Sequence, residues 1–196
     1  LAPNSTLWDL GAGSGAVSLE AARLLSRGQV VAVERQAERV EHIKENVART
    51  GAWLVEVVQA PLEEFLGNRS YGTYGTHGTY NKADQAQVDR ATCPEHTSHR
   101  PHTSHSLSTH IFLGGGASSA VLTQCAALLS PGGRLVVAAV LLSTLENARA
   151  VINQLGWPLT VHQLMHHVSS PLGTDLRLAP SNPVFLLETQ KPSSDT

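Results

Sequence analysis

Cysteine is scarce in this chain: Cys93 and Cys125 are the only two in 196 residues. Their separation matches no metal motif and builds no disulfide framework, which suits a reducing, cytoplasmic setting. Long apolar runs are missing as well. No stretch approaches the roughly 18–20 consecutive apolar residues that a membrane-spanning helix needs, and no secretory leader is visible. Charge of either sign is thin and balanced, with 15% charged residues and a formal net charge of −2. That excludes the basic field expected of a nucleic-acid binder and the acidic tail of a solvating segment. Methionine occurs once, as Met165, and the chain opens on Leu1-Ala2-Pro3, almost directly at its first strand-like run. The expectation is a piece of a longer or truncated protein. Its length fits one domain, residues 1–196, large enough to bury a real core.

What is present begins at Leu7-Trp8-Asp9-Leu10-Gly11-Ala12-Gly13-Ser14-Gly15. An apolar run carries Asp9 two residues ahead of a glycine turn, and a helical pattern follows (Val17, Leu19, Ala21, Ala22, Leu24, Leu25). A second strand-like run, Val30-Val31-Ala32-Val33, ends in Glu34, nineteen residues after Gly15. Strand, glycine turn, helix and acid-tipped strand form half of a nucleotide-binding sheet. Two ligands compete for it. Gly11, Gly13 and Ala16 satisfy a G-x-G-x-x-A dinucleotide fingerprint, with Glu34 placed for a ribose. Asp9, however, would repel a pyrophosphate and suits the cationic S-adenosylmethionine, which carries no phosphate.

Residues 36–50 read as a helix with Val40, Ile43 and Val47 on one face and Gly51 as its stop. Residues 53–60 read as a third strand closed by Pro61, and 62–66 as a short helical piece. Composition then changes. Residues 68–110 hold all three tyrosines and six of the ten histidines but no phenylalanine or tryptophan. A Tyr-Gly-Thr repeat occupies residues 71–80, and His96, His99, His102 and His105 recur at every third position. So few apolar side chains cannot offset ordering entropy, and the segment reads as a low-complexity, disordered insertion. Its histidine run carries Pro101 and no neighbouring cluster of carboxylate ligands, so no functional metal site is expected.

Alternation resumes at Ile111-Phe112-Leu113 and runs into Gly114-Gly115-Gly116. A helix follows to about Leu129 with Ser118 or Ser119 as cap, then a Pro131-Gly132-Gly133 turn. Residues 134–142 suit a strand buried on both faces, and 143–155 a helix capped by Ser143 or Thr144 and stopped by Gly156. Two β-rich segments, 159–168 and 183–189, flank a loop at 169–182, and a polar tail closes the chain. Strands alternating with helices imply an α/β fold, a mainly parallel sheet with helices on both faces. The last two strands, with no helix between them, imply an antiparallel terminal hairpin. That edge favours a seven-stranded, Rossmann-like class I methyltransferase over an NAD enzyme.

The residues now resemble a family. The Leu7 to Gly15 stretch, Gln59-Ala60-Pro61, the Ile111 to Gly116 stretch, Pro131-Gly132-Gly133-Arg134-Leu135-Val136 and Asn182-Pro183-Val184 are similar to the decarboxylating C-15 methyltransferases that act on precorrin-6B or its cobalt form in cobalamin biosynthesis. The resemblance spans the chain outside 68–110. It implies S-adenosylmethionine as donor, a tetrapyrrole as substrate, methyl transfer to C-15 and loss of the C-12 acetate carboxyl as carbon dioxide. The ring carbon is itself the nucleophile, so no Ser-His-Asp or Cys-His arrangement is called for. Implied donor-binding residues are Asp9, Gly11, Gly13, Gly15, Glu34, Gln59 and Ala60. Gly114, Gly115 and Gly116 would admit the flat macrocycle, and Arg177 would meet a substrate carboxylate. Homo-oligomers and a fused or separate partner tetrapyrrole methylase also belong to the family pattern. The chain departs from that pattern in lacking the Thr- and Arg-containing segment before the first strand. After its fifth strand it has Val140-Leu141-Leu142-Ser143 where the family carries polar groups. Two other readings stand beside this one, a methyltransferase for another small molecule and a truncated, non-catalytic donor-binding module.

Overall fold

The computed structural model describes residues 1–70 and 107–193. The Tyr-Gly-Thr repeat, the four periodic histidines and Cys93 lie outside the described residues. In chain order the elements are β1 (Thr6–Leu10), α1 (Ala16–Leu24), β2 (Gln29–Glu34), α2 (Ala37–Thr50), β3 (Val55–Gln59) and α3 (Leu62–Ser70). Next come β4 (Ser108–Leu113), α4 (Ser119–Leu128), β5 (Leu129–Ala139) and α5 (Leu142–Leu155). Four strands close the chain: β6 (Leu159–Leu164), β7 (His167–Leu172), β8 (Asp175–Pro180) and β9 (Val184–Gln190).

Seven strands form one sheet in the order β3-β2-β1-β4-β5-β9-β6, and β7 pairs with β8 separately. All neighbours are parallel except β9, which runs antiparallel to β5 and to β6. The strand order reverses between β1 and β4, which opens a crevice at the carboxyl ends of those strands. Period-two alternation divides the side chains between two cores. Trp8, Leu10, Val33, Ile111, Leu113, Leu135 and Val137 pack with residues of α3, α4 and α5. Leu7, Val30, Ala32 and Val55 pack with Ala21, Ala22 and Ile43 of α1 and α2.

Several boundaries differ from the sequence expectation. Helix α3 continues to Ser70; its last turn carries Arg69, whose guanidinium lies over the rings of Trp8 and Phe65. Strand β4 starts at Ser108, where Ser108 and Thr109 hydroxyls donate to the Thr6 carbonyl. Both ends of the segment read as an insertion therefore belong to regular elements. The Pro-Gly-Gly sequence is not a turn before a strand but an irregularity inside β5. Ser108 pairs with Leu129, whereas His110 pairs with Arg134, so the intervening β5 residues loop out of register. Ser118 caps α4 by accepting from the Val121 N–H, as expected. Helix α5 has no side-chain cap. It begins one residue after Leu141, because β5 ends at Ala139, and Ser143 and Thr144 fall inside its first turn. The expected loop at 169–182 is instead a hairpin. Leu172 pairs with Asp175, leaving a two-residue turn with Gly173 at φ +62°, a Gly-X signal that favours tight hairpins.

Candidate functional site

The end of β1 and the end of β2 are stitched together by the glycine loop. Gly11 and Ala12 N–H groups both donate to the Val33 carbonyl at 2.9 and 3.0 Å. Gly13 N–H donates to Glu34 Oε2 at 3.0 Å. The other carboxylate oxygen of Glu34 accepts from the Arg35 and Gln36 N–H groups at 2.9 and 3.0 Å. A buried acid is thus oriented by three backbone donors while still lining the pocket. The loop needs its glycines for conformation. Gly11, Gly13 and Gly15 have φ of 75°, 59° and 81°, and among the described residues no other residue type has positive φ.

Asp9 sits below this loop, 1% exposed. Its Oδ2 accepts from the Ser18 hydroxyl at 2.5 Å, so a β1 carboxylate anchors the first turn of α1 where the helix dipole favours negative charge. Among the described residues its Oδ1 has no hydrogen-bond partner. Burial raises the Asp9 pKa; the Ser18 hydrogen bonds oppose that rise, and the nearby Glu34 charge adds to it.

The second glycine run meets the first backbone to backbone. Gly114 N–H donates to the Leu10 carbonyl at 2.8 Å. A Cβ on Gly114 would stand 3.0 Å from the Gly11 carbonyl oxygen, and one on Gly11 would stand 3.2 Å from the Gly115 nitrogen. Gly116 needs its positive φ of 70°. Gly115 alone of the three has an ordinary φ and open space where a side chain would go. Two of these glycines are therefore required by the packing of the loops, and Gly115 is the position at which a missing side chain leaves room for something else.

These pieces surround a pocket of about 320 Å³ at the carboxyl edge of the parallel strands. Of the sequence-predicted residues, Gly11, Glu34, Ala60, Gly114, Gly115 and Gly116 line it. Gly13, Gly15 and Asp9 do not reach its wall; they shape the loop from behind. Gln59 ends β3 with its side chain exposed and also stands outside the lining. Arg177 lies on β8, not in a loop; it is exposed, and its Nε donates to the Ser170 hydroxyl at 3.2 Å. The β7–β8 hairpin leaves from the same edge of the sheet, where β6 and β9 meet at Leu164 and Val184. Sequence reasoning missed Arg35, Arg39, Leu62 and Glu63, which also line the pocket. Their signal was position: each follows the carboxyl end of β2 or β3, where the crevice of an open α/β sheet must lie. A larger apolar groove of about 920 Å³ opens between α1 and the middle of β4 and β5. It touches neither Glu34 nor the glycines, so chemistry places the site in the smaller pocket.

Comparison with known proteins decides the family. A family model described as the precorrin methyltransferase domain matches residues 1–71 and 80–191. The chain belongs to this family. One curated relative is the cobalt-precorrin-6B C(15)-methyltransferase (decarboxylating) of Salmonella typhimurium, 27% identical over 190 residues that cover 95% of this chain and 79% of the relative. Among solved structures, the precorrin-6y C5,15-methyltransferase of Geobacter metallireducens aligns with a TM-score of 0.72 at 23% identity, over 97% of this chain and 83% of that one. The precorrin 8W decarboxylase of Methanobacterium thermoautotrophicum aligns with a TM-score of 0.69 at 22% identity, over 96% and 82%. The fold likeness extends to more distant methyltransferases, including an O-methyltransferase of Thermotoga maritima at 15% identity and a TM-score of 0.65. The seven-stranded class I methyltransferase architecture expected from the sequence is the observed one.

Proposed function

We propose that this protein methylates C-15 of a precorrin or cobalt-precorrin with S-adenosylmethionine and releases the C-12 acetate carboxyl as carbon dioxide. The observation that carries the reading is the convergence of Glu34, the Gly11 loop and Gly114, Gly115 and Gly116 on one pocket at the switch point of the sheet. The pocket fits the donor chemically. Glu34 retains acceptor capacity toward the pocket for ribose hydroxyls, beyond the three backbone bonds that orient it. The glycine loop leaves backbone rather than side chains beside the methionine portion. The unpaired Oδ1 of buried Asp9 is an acceptor of the right charge for the donor's ammonium, met through water. Ala60, next to Gln59 at the end of β3, borders the adenine.

When bound, the donor supplies an electrophilic methyl on a sulfonium. The protein's part is alignment and desolvation. The open space at Gly115 admits the edge of a flat macrocycle. Val140, Leu141 and Leu142 are more than half exposed just beyond β5 and offer an apolar surface to the ring, while Arg177 on the hairpin at this edge meets a carboxylate. Leu172, Leu176 and Leu178 of the same hairpin are 59%, 66% and 71% exposed, and they support self-association into a homo-oligomer.

Calorimetry with S-adenosylmethionine, S-adenosylhomocysteine and NADH tests the donor assignment. The methyl donor and its product bind, NADH does not, and Glu34→Ala weakens donor binding by at least about tenfold. Incubation with cobalt-precorrin-6B then yields methylated product and carbon dioxide together. NADH binding without donor binding would reverse the assignment.

A further inference from the structure

The adenine end of the pocket contains an acceptor that the strand motif does not supply. Accepting the methyl-donor reading above, Glu34 holds the ribose and the Gly11 loop takes the methionine portion. The base must then extend away from the glycines, into the part of the pocket walled by Arg35, Gln36 and Arg39 on one side and Ala60, Pro61, Leu62 and Glu63 on the other. Adenine presents an exocyclic amino group there, a donor that needs an acceptor. Gln59, the side chain at the strand position where a motif would place that acceptor, is exposed and outside the lining. Glu63, in the first turn of α3, is inside it. Its neighbour Leu62 packs toward the Gly116 loop, with its Cδ1 3.2 Å from where a Gly116 Cβ would stand. The start of α3 is therefore held against the site, which fixes the segment carrying Glu63.

We propose that Glu63 is the adenine-specificity residue of the donor site, its carboxylate accepting the exocyclic amino group in place of Gln59. A carboxylate acceptor also disfavours a base with a carbonyl at that position, since two acceptors would face each other.

The test compares S-adenosylhomocysteine with its inosine counterpart, S-inosylhomocysteine, by calorimetry on the full chain. The wild type prefers the adenine compound by about tenfold to a hundredfold, the range of one hydrogen bond to a charged group. Glu63→Ala brings the ratio of the two dissociation constants close to one, while Glu63→Gln, which keeps a carbonyl acceptor, restores part of it. Gln59→Ala leaves the ratio unchanged. Both side chains are exposed, and unchanged thermal melting of the variants confirms that folding is intact. A ratio that survives Glu63→Ala, or one that collapses in Gln59→Ala, overturns the assignment of Glu63 while leaving the donor reading standing. Failure of the wild type to bind either compound overturns the donor reading, and the Glu63 assignment with it.

Discussion

At Asp9 a carboxylate is kept out of water with one oxygen on Ser18 and the other without a partner among the described residues. Burial raises its pKa above the ordinary 3.8, so its ionisation works against folding. Below 3.8 the group is protonated in both folded and unfolded chains and costs nothing. As pH rises from there to the folded value, the unfolded chain gives up its proton first and gains relative to the folded one. The penalty is complete once pH exceeds the folded pKa. Asp9→Asn removes the ionisation and keeps an acceptor for Ser18. Its stability advantage over the wild type is expected to be absent below 3.8, to grow through the window above it and then to level off. Urea midpoints from pH 3 to 7 read this directly, and a constant difference across the range would contradict it. A residue that costs stability at neutral pH and sits under the ligand loop is what a binding role produces.

Among the elements, α4 has an unusual exit. It ends at Leu128 and β5 starts at Leu129 with no connecting loop, so the last helical carbonyls have no room for a glycine cap. Lys191, just past β9, fills that need from a distant part of the chain. Its Nζ donates to the carbonyls of Leu129 at 2.7 Å and Ala126 at 3.0 Å, and lies 3.4 Å from that of Ala127. An ammonium here complements the helix dipole and satisfies carbonyls that lack a helical partner. Lys191→Met is expected to cost about 1–3 kcal/mol in urea unfolding. A midpoint matching the wild type would mean that water serves those carbonyls as well. The β7–β8 hairpin is a contrasting element, paired to itself and exposed along most of its length.

Across the whole molecule, the larger core joins both halves of the sheet to α3, α4 and α5, and Cys125 lies within it. Burial pushes its thiol up to about 12, so almost no nucleophilic thiolate exists at neutral pH. In a Cys93→Ser background Cys125 is the remaining thiol. Ellman's reagent should then leave the folded protein unlabelled and react fully once urea passes the unfolding midpoint. Rapid stoichiometric labelling without denaturant would show that this core opens locally rather than as a unit.

The α/β class, the mainly parallel sheet with its antiparallel edge and the glycine-loop half of the site were legible in the chain itself. Those features rest on local chemistry: positive φ that only glycine tolerates, apolar alternation, and an acid at a strand tip. Tertiary structure decided the rest. It turned Asp9 away from the pocket wall and onto Ser18, because side-chain direction follows the pleat of β1. It separated Gly115 from Gly114 and Gly116, because only the docking of one loop on another shows which glycine is required by contact. It made residues 167–180 a hairpin and brought Glu63 into the lining of the same pocket as Glu34. Those two acids are far apart in sequence, and only parallel pairing of β2 with β3 sets their elements side by side.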